Sequence, residues 1–131
     1  MSANFDKVKQ YLQELEIPIT EEIPEEELVI VNDEDNGISN LYIDCEDPLL
    51  IFEQVIMAVP KSPGDFYKRL LQMNRTLVHG AFVLDEAGNA VLFRDTLQLE
   101  NLDKNELEGT IRALSLALAE NVNELIAYSK K

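Results

Sequence analysis

The stretch SPGDFYKRLLQMNRTLVHGAFVLDEAGNAVLFRDTLQLENLD, residues 62–103, decides the fold. Ser62 can cap a helix and Pro63 suits the first helical position, while Asp65 follows three residues after the cap. The apolar residues that come next recur at helical spacing and would share one face: Phe66, Leu70, Met73 and Leu77. This pattern predicts an amphipathic helix that begins near Ser62.

A hairpin and a long helix are predicted after this first helix. Two apolar runs, residues 79–84 and 90–97, flank the turn-forming sequence DEAGN, which is typical of a β-hairpin. Asp103 and Glu106 have the spacing of a capping pair and predict the start of the last helix. Helical periodicity then continues to about Tyr128, which gives an element roughly 40 Å long.

The residues before position 62 predict one more helix and three more strands. Apolar residues at helical spacing indicate a first helix that Pro18 ends: Phe5, Val8, Leu12 and Leu15. Apolar runs at residues 28–31, 41–45 and 49–59 predict the strands, and the sequence NDEDNG joins the first two as a hairpin. The charged sequence ITEEIPEEE, residues 19–27, predicts a mobile loop.

These elements define the predicted fold class. Their order is α-β-β-β-α-β-β-α, and tight turns join most of the strands. We therefore expect an α+β fold with a largely antiparallel five-stranded sheet and helices packed on it. The chain length of 131 residues predicts a single domain over residues 1–131.

Charge excludes several classes of function. The formal net charge is -14, and residues 1–60 hold fifteen acids and two bases, whereas residues 61–131 hold ten acids and nine bases. A field of this sign disfavours nucleic acid and anionic membranes. The acids form either a solvated rim or a surface that favours a basic partner.

Cellular location is predicted from apolar runs and cysteine usage. We expect no membrane insertion, because no run reaches the ~18 apolar residues of a spanning helix. The first residues, MSANFDKVKQYL, lack the apolar centre of a signal peptide. The single cysteine, Cys45, suits a reducing compartment. The expected location is the cytoplasm.

No residue pattern indicates catalysis, a metal or a cofactor. Glu53 lies in an apolar strand, where a sheet-edge or interface position is more typical than an acid–base role. The acidic sequence at residues 33–37 has its glycine one place early for a calcium loop. Cys45 and the only histidine, His79, would need to meet in space beside an oxyanion site. We expect no catalytic residue, no cofactor-binding residue and no metal ligand.

Apolar residues in excess of what one core needs say more about function than the candidate catalytic residues do. The strand at residues 49–59 is apolar on both faces. The last helix carries a seam of Leu107, Ile111, Leu114, Leu118, Val122 and Leu125, with Leu116 and Ile126 outside it. One sheet with helices on it leaves part of this surface uncovered, and exposed apolar patches are typical of protein interfaces.

Residues 71–103 carry a resemblance to a known family. An asparagine ends the second helix, an apolar strand with one aromatic follows, then a glycine turn, a second strand and a Leu-x-x-Leu-Asp start of a long helix. Those places are filled by Asn74, Phe82, Gly88, Leu99, Leu102 and Asp103. With the element order, this resembles the type III secretion chaperone-like fold, which includes the Tir-chaperone and YbjN-like families.

The resemblance implies a non-enzymatic homodimer that binds a protein client. The dimer contact would involve the second helix, and its candidates are Phe66, Leu70 and Met73. The candidates for client binding lie on the first helix and the sheet: Phe5, Val8, Leu12, Leu28 and Ile30.

Two functions follow as hypotheses. The first is a dimeric chaperone-like or regulatory module that recognises a polypeptide segment. The alternative is a small-molecule or metal-sensing regulatory domain, suggested by the acids at residues 21–47.

Overall fold

The computed structural model describes residues 2–131. It contains three helices: α1 (Ala3–Glu14), α2 (Phe66–Asn74) and α3 (Lys104–Ser129). Its strands are β1 (Ile19–Ile23), β2 (Leu28–Asp33), β3 (Ile38–Glu46), β4 (Leu49–Ala58), β5 (Ala81–Leu84) and β6 (Ala90–Gln98). Short 3-10 turns at Pro24–Glu26 and Glu34–Asn36 join β1 to β2 and β2 to β3.

The six strands form one sheet in the order β1-β2-β3-β4-β6-β5, and every neighbouring pair is antiparallel. The predicted α+β class and antiparallel sheet are confirmed, but the predicted count of five strands is wrong. The additional strand is β1, which occupies most of the sequence predicted to be a mobile loop. Its central residues, TEE, are polar and exposed because β1 is an edge strand, where charged residues are common.

Side chains cap the first residues of α1 and α3, but not those of α2. Ser2 accepts a hydrogen bond from the Phe5 N–H, as an N-cap does, at 3.1 Å. Asp103 and Glu106 form the predicted capping box of α3. The predicted start of α2 at Ser62 is wrong, because Gly64 has a φ of +52°, a left-handed conformation that interrupts a helix, and α2 begins at Phe66.

All three helices pack on the same face of the sheet. Their buried residues belong to one apolar cluster, which includes Phe5 of α1, Phe66 of α2 and Leu114 of α3. The strand members of that cluster alternate along each strand, as Val29 and Val31 do in β2. The residues between them point to the other side of the sheet.

We call this other side the open face. The strand register places these residues on it: Leu28, Ile30, Tyr42, Asp44, Ile51, Glu53, Val55, Leu92 and Arg94. None of them belongs to the buried cluster of the described chain. Val55 shows how open the face is, because its side chain is 66% exposed although it lies on the central strand β4.

Polar contacts fix α2 against its neighbours. Arg69 donates two hydrogen bonds to the Glu124 carboxylate of α3, at 2.6 and 2.8 Å. At the other end of α2, the Asn74 side chain donates to the Phe82 carbonyl and accepts from the Phe82 N–H. α2 is therefore held against both α3 and the edge strand β5.

Candidate functional site

The predicted dimer residues lie on the inner face of α2. Phe66, Leu70 and Met73 are at most 5% exposed, and the Phe66 ring packs on the Tyr128 ring at a centroid distance of 4.9 Å. The outer face of the same helix carries exposed Leu71, one turn from Tyr67. A role of the three inner residues in dimerisation stays a prediction, and any direct contact with a partner would require them to be uncovered.

The predicted client-binding residues fall into two groups. Phe5, Val8 and Leu12 have no exposed surface and form part of the core beneath α1. Leu28 and Ile30 lie on the open face, outside that core, but are only 8% and 6% exposed. A client contact of these five residues also stays a prediction.

An apolar groove lies between α3 and the second half of β4, with a volume of about 540 Å³. We call it the α3–β4 groove. Its apolar lining residues are Val55, Ile56, Met57, Leu118, Val122, Leu125 and Ile126. The remaining lining residues are Gly37, Ser39, Gln54 and Ser129, so no ionisable residue of the described chain lines it. In a chain with 27% charged residues, this is a distinctly neutral surface.

Gln54 and Gly37 build the floor of the groove. The buried Gln54 amide donates to the Gly37 carbonyl at 3.0 Å and accepts from the Ser39 N–H at 3.1 Å. Gly37 has a φ of +77°, and a Cβ there would lie 3.4 Å from the Leu118 side chain. The left-handed backbone of the tight β2–β3 turn therefore favours glycine at this position, where the turn contacts α3.

A bulge and a helix face supply the apolar rim. The pairing of β4 with β6 shifts between Val55 and Met57, so that Ile56 is an extra residue in β4. On α3, Val122 and Ile126 are one turn apart and are 42% and 47% exposed. Val122 belongs to the apolar seam of the last helix, but it is exposed, whereas Leu125 and Tyr128, further along α3, are buried.

The candidate nucleophile pair shows no activation. Cys45 is buried in β3, and burial, followed by the Glu27 and Asp44 charges, raises the pKa of its thiol to about 12. A thiol in this state remains protonated at neutral pH and is a poor nucleophile. His79 lies in the segment between α2 and β5.

The candidate acidic residues have structural partners. Glu53 lies on the open face, 3.8 Å from the Arg94 guanidinium. Asp33 accepts a hydrogen bond from the Asn36 side chain within the β2–β3 turn, at 2.7 Å. Among residues 2–131, no group of three or more acids, cysteines or histidines is placed to hold a metal ion.

Comparison with known proteins identifies the family. The profile of the CesT_Tir_1 family, a type III secretion chaperone family, matches residues 1–131, so the chain belongs to this family. No curated protein sequence matches the chain significantly. Within the described residues, no helix is both long and apolar enough to cross a membrane.

Two solved structures share the fold. YbjN from E. coli is 14% identical, with a TM-score of 0.72 and 92% of each chain covered. The type III secretion chaperone SycH from Yersinia pestis, solved in complex with a stable fragment of YscM2, is 14% identical with a TM-score of 0.57. That alignment covers 97% of this chain and 100% of SycH.

Proposed function

We propose that this protein is a non-enzymatic, chaperone-like module that acts as a homodimer in the cytoplasm and binds an apolar segment of a client polypeptide. The observation that carries the proposal is the α3–β4 groove, which is apolar, open and free of ionisable side chains in the described chain. Membership of a chaperone family and the likeness to SycH, a chaperone with a bound protein fragment, support a polypeptide as the ligand.

The size and lining of the groove define the segment it would accept. A volume of about 540 Å³ holds a few apolar side chains. Each large apolar side chain that leaves water gains about 1.5–3 kcal/mol, which is enough for measurable binding once two or three are buried. Backbone groups of the segment would find partners in Ser39 and Ser129 at the rim.

The groove is tested with a library of random twelve-residue peptides selected on the immobilised full chain. We expect enriched peptides rich in Leu, Ile, Val or Phe, and we expect Val122→Glu to weaken the best peptide at least tenfold in fluorescence anisotropy. A glutamate there must either lose its hydration or keep the apolar segment out.

Leu84→Glu is the matched control for this experiment. Leu84 is 41% exposed and Val122 is 42% exposed, but Leu84 lies on β5, outside the groove. Retained binding by Leu84→Glu supports the groove. An equal loss in both variants, or no apolar enrichment, would overturn the proposal. A Val122→Glu protein that becomes monomeric would instead assign the groove to the dimer contact.

The homodimer is proposed to form through the outer face of α2. Tyr67 and Leu71 are 40% and 73% exposed and lie one turn apart, and Val78 just after the helix is 76% exposed. This surface lies in the second half of the chain, where acids and bases nearly balance. Two copies can therefore meet there without the strong repulsion that residues 1–60 would cause.

Light scattering coupled to size-exclusion chromatography tests the dimer. We expect the wild-type chain to be a dimer at micromolar concentration and Leu71→Glu to be a monomer. Leu116→Glu is the control, because Leu116 is 50% exposed on α3, and this variant should stay dimeric. A wild-type monomer, or a Leu116→Glu monomer beside a Leu71→Glu dimer, contradicts this assignment.

The alternative functions receive less support. The protonated Cys45 argues against nucleophilic catalysis. Hydrogen bonds within the β2–β3 turn account for the acidic sequence at residues 33–37 without a ligand. No specific observation favours the small-molecule or metal-sensing alternative.

A further inference from the structure

The open face of the sheet combines apolar and acidic side chains in register. One row across the strands contains Leu28, Asp44 and Ile51, from β2, β3 and β4. The next row contains Ile30, Tyr42, Glu53 and Arg94. Tyr42 is 46% exposed and Ile51 and Glu53 are partly exposed, whereas Leu28 and Ile30 are at most 8% exposed, so a partner would meet these rows on β3 and β4.

Asp44 on this face is surrounded by other acids. Oδ1 of Asp44 is buried and has no hydrogen-bond partner within the described chain. Burial, and then the carboxylates of Glu46, Glu26 and Glu53, raise the pKa of Asp44 to about 6. Among the two rows named above, Arg94 is the one base, and it already lies beside Glu53.

The sequence explains why the strands around Asp44 supply no cation. Strands β1 to β4 contain no Lys or Arg, because the chain has none between Lys9 and Lys61. Strands β1 to β4 therefore supply no cation to Asp44 and its neighbours. A cation from another molecule would offset the repulsion among these acids.

We propose that the open face binds a basic polypeptide segment in which Arg or Lys residues are interspersed with apolar residues. The apolar side chains of the segment would pack on Ile51 and its neighbours, and the cations would pair with Asp44 and Glu53. Leu28 and Ile30, predicted from the sequence to contact a client, lie in the same two rows.

Charge favours a basic partner over a second copy of this chain on this face. A second copy also carries a net charge of -14, and the half that builds β1 to β4 has fifteen acids and two bases. Two such faces would repel each other. The inference rests on the proposed function only in that the occupant is a polypeptide. It concerns the two rows named above, which share no residue with the α3–β4 groove.

The test uses two labelled twelve-residue peptides of Leu and Ser, one with four Arg and the other with four Glu at the same positions. In fluorescence anisotropy with the full chain, we expect the Arg peptide to bind and the Glu peptide not to bind. Tyr42→Lys should weaken binding of the Arg peptide at least tenfold. Leu84→Lys adds the same charge at a site that is 41% exposed and off the open face, and should change binding less than twofold.

A second pair of variants separates a local contact from the overall charge. Asp44→Asn should weaken binding of the Arg peptide about fivefold, whereas Asp35→Asn, in the exposed β2–β3 turn, should leave it within twofold. Equal losses in each pair, equal binding of both peptides, or dissociation of a wild-type dimer by Tyr42→Lys would overturn the inference. Val122→Glu should retain the Arg peptide, so that failure of the groove and failure of the open face give different results.

Discussion

The two faces of the sheet are built from the same strands but differ in how far their apolar residues are buried. On the helix-covered face, Phe52 and Phe93 are at most 1% exposed and pack in a core that unites all three helices. On the open face, Tyr42 and Val55 are roughly half exposed or more, and acids lie between the apolar residues. Stability therefore resides on the covered face, whereas the open face keeps apolar and charged groups available to a partner.

The largest effect should come from the covered face. Phe52→Ala should lower the free energy of unfolding by about 3–5 kcal/mol, because it leaves a cavity in the core beneath the helices. Val55→Ala, three positions along the same strand but 66% exposed, should cost less than ~0.5 kcal/mol. Urea denaturation followed by circular dichroism measures both, and similar losses in the two variants would break the comparison.

A smaller effect, of opposite sign, is expected at Asp44 on the open face. Its folded-state pKa of about 6 exceeds the ordinary value of 3.8. The stabilisation that protonation brings is therefore fully present below pH 3.8 and is lost as the pH rises through about 6. Asp44→Asn should be about 1 kcal/mol more stable than wild type at pH 7.5, since solvent screens part of the penalty at this partly exposed site.

The pH dependence provides the control for Asp44→Asn. The stability difference should disappear near pH 3.5, because Asp44 is then protonated in both folded and unfolded chains. Urea unfolding at the two pH values measures it. A variant that is less stable at pH 7.5, or a difference that is the same at both values, would contradict the account of Asp44.

The smallest effect is expected for the Glu53–Arg94 pair. Both side chains are 42% exposed and their charged groups are 3.8 Å apart. Exposed pairs of this kind contribute about 0–1 kcal/mol, so Glu53→Gln should change the free energy of unfolding by less than ~0.5 kcal/mol. A loss above ~1.5 kcal/mol in urea denaturation would show that the open face contributes to stability more than we infer.

Local patterns predicted most of the fold. The capping pair Asp103 and Glu106 and the turn sequences predicted the last helix and the hairpins, because these signals act over a few residues. The strand β1 was missed, since an edge strand needs no alternating apolar pattern. The start of α2 was misplaced because Ser62 and Pro63 resemble a helix start, whereas the left-handed Gly64 that follows is not evident from sequence.

The candidate surfaces were less predictable. The α3–β4 groove brings Val55 together with Val122, and only the folded chain shows that this part of α3 is left exposed. The helical period groups the apolar residues of a helix on one face, but it does not show which apolar residues remain exposed to solvent. The predicted dimer residues of α2 therefore include buried Phe66 and not exposed Leu71. The sequence did contain one indication of the groove: Ile126 is an apolar residue outside the predicted seam.

The most direct test of the central claim, that this protein binds polypeptides through apolar surface its own fold leaves uncovered, is a methyl NMR titration. The full chain, labelled at its Ile, Leu and Val methyl groups, is titrated with the best peptide from the random library. We expect shift changes at Val122, Ile126 and Val55, with Leu84 unchanged. Changes confined to other methyl groups, or no saturable change at all, would contradict this claim.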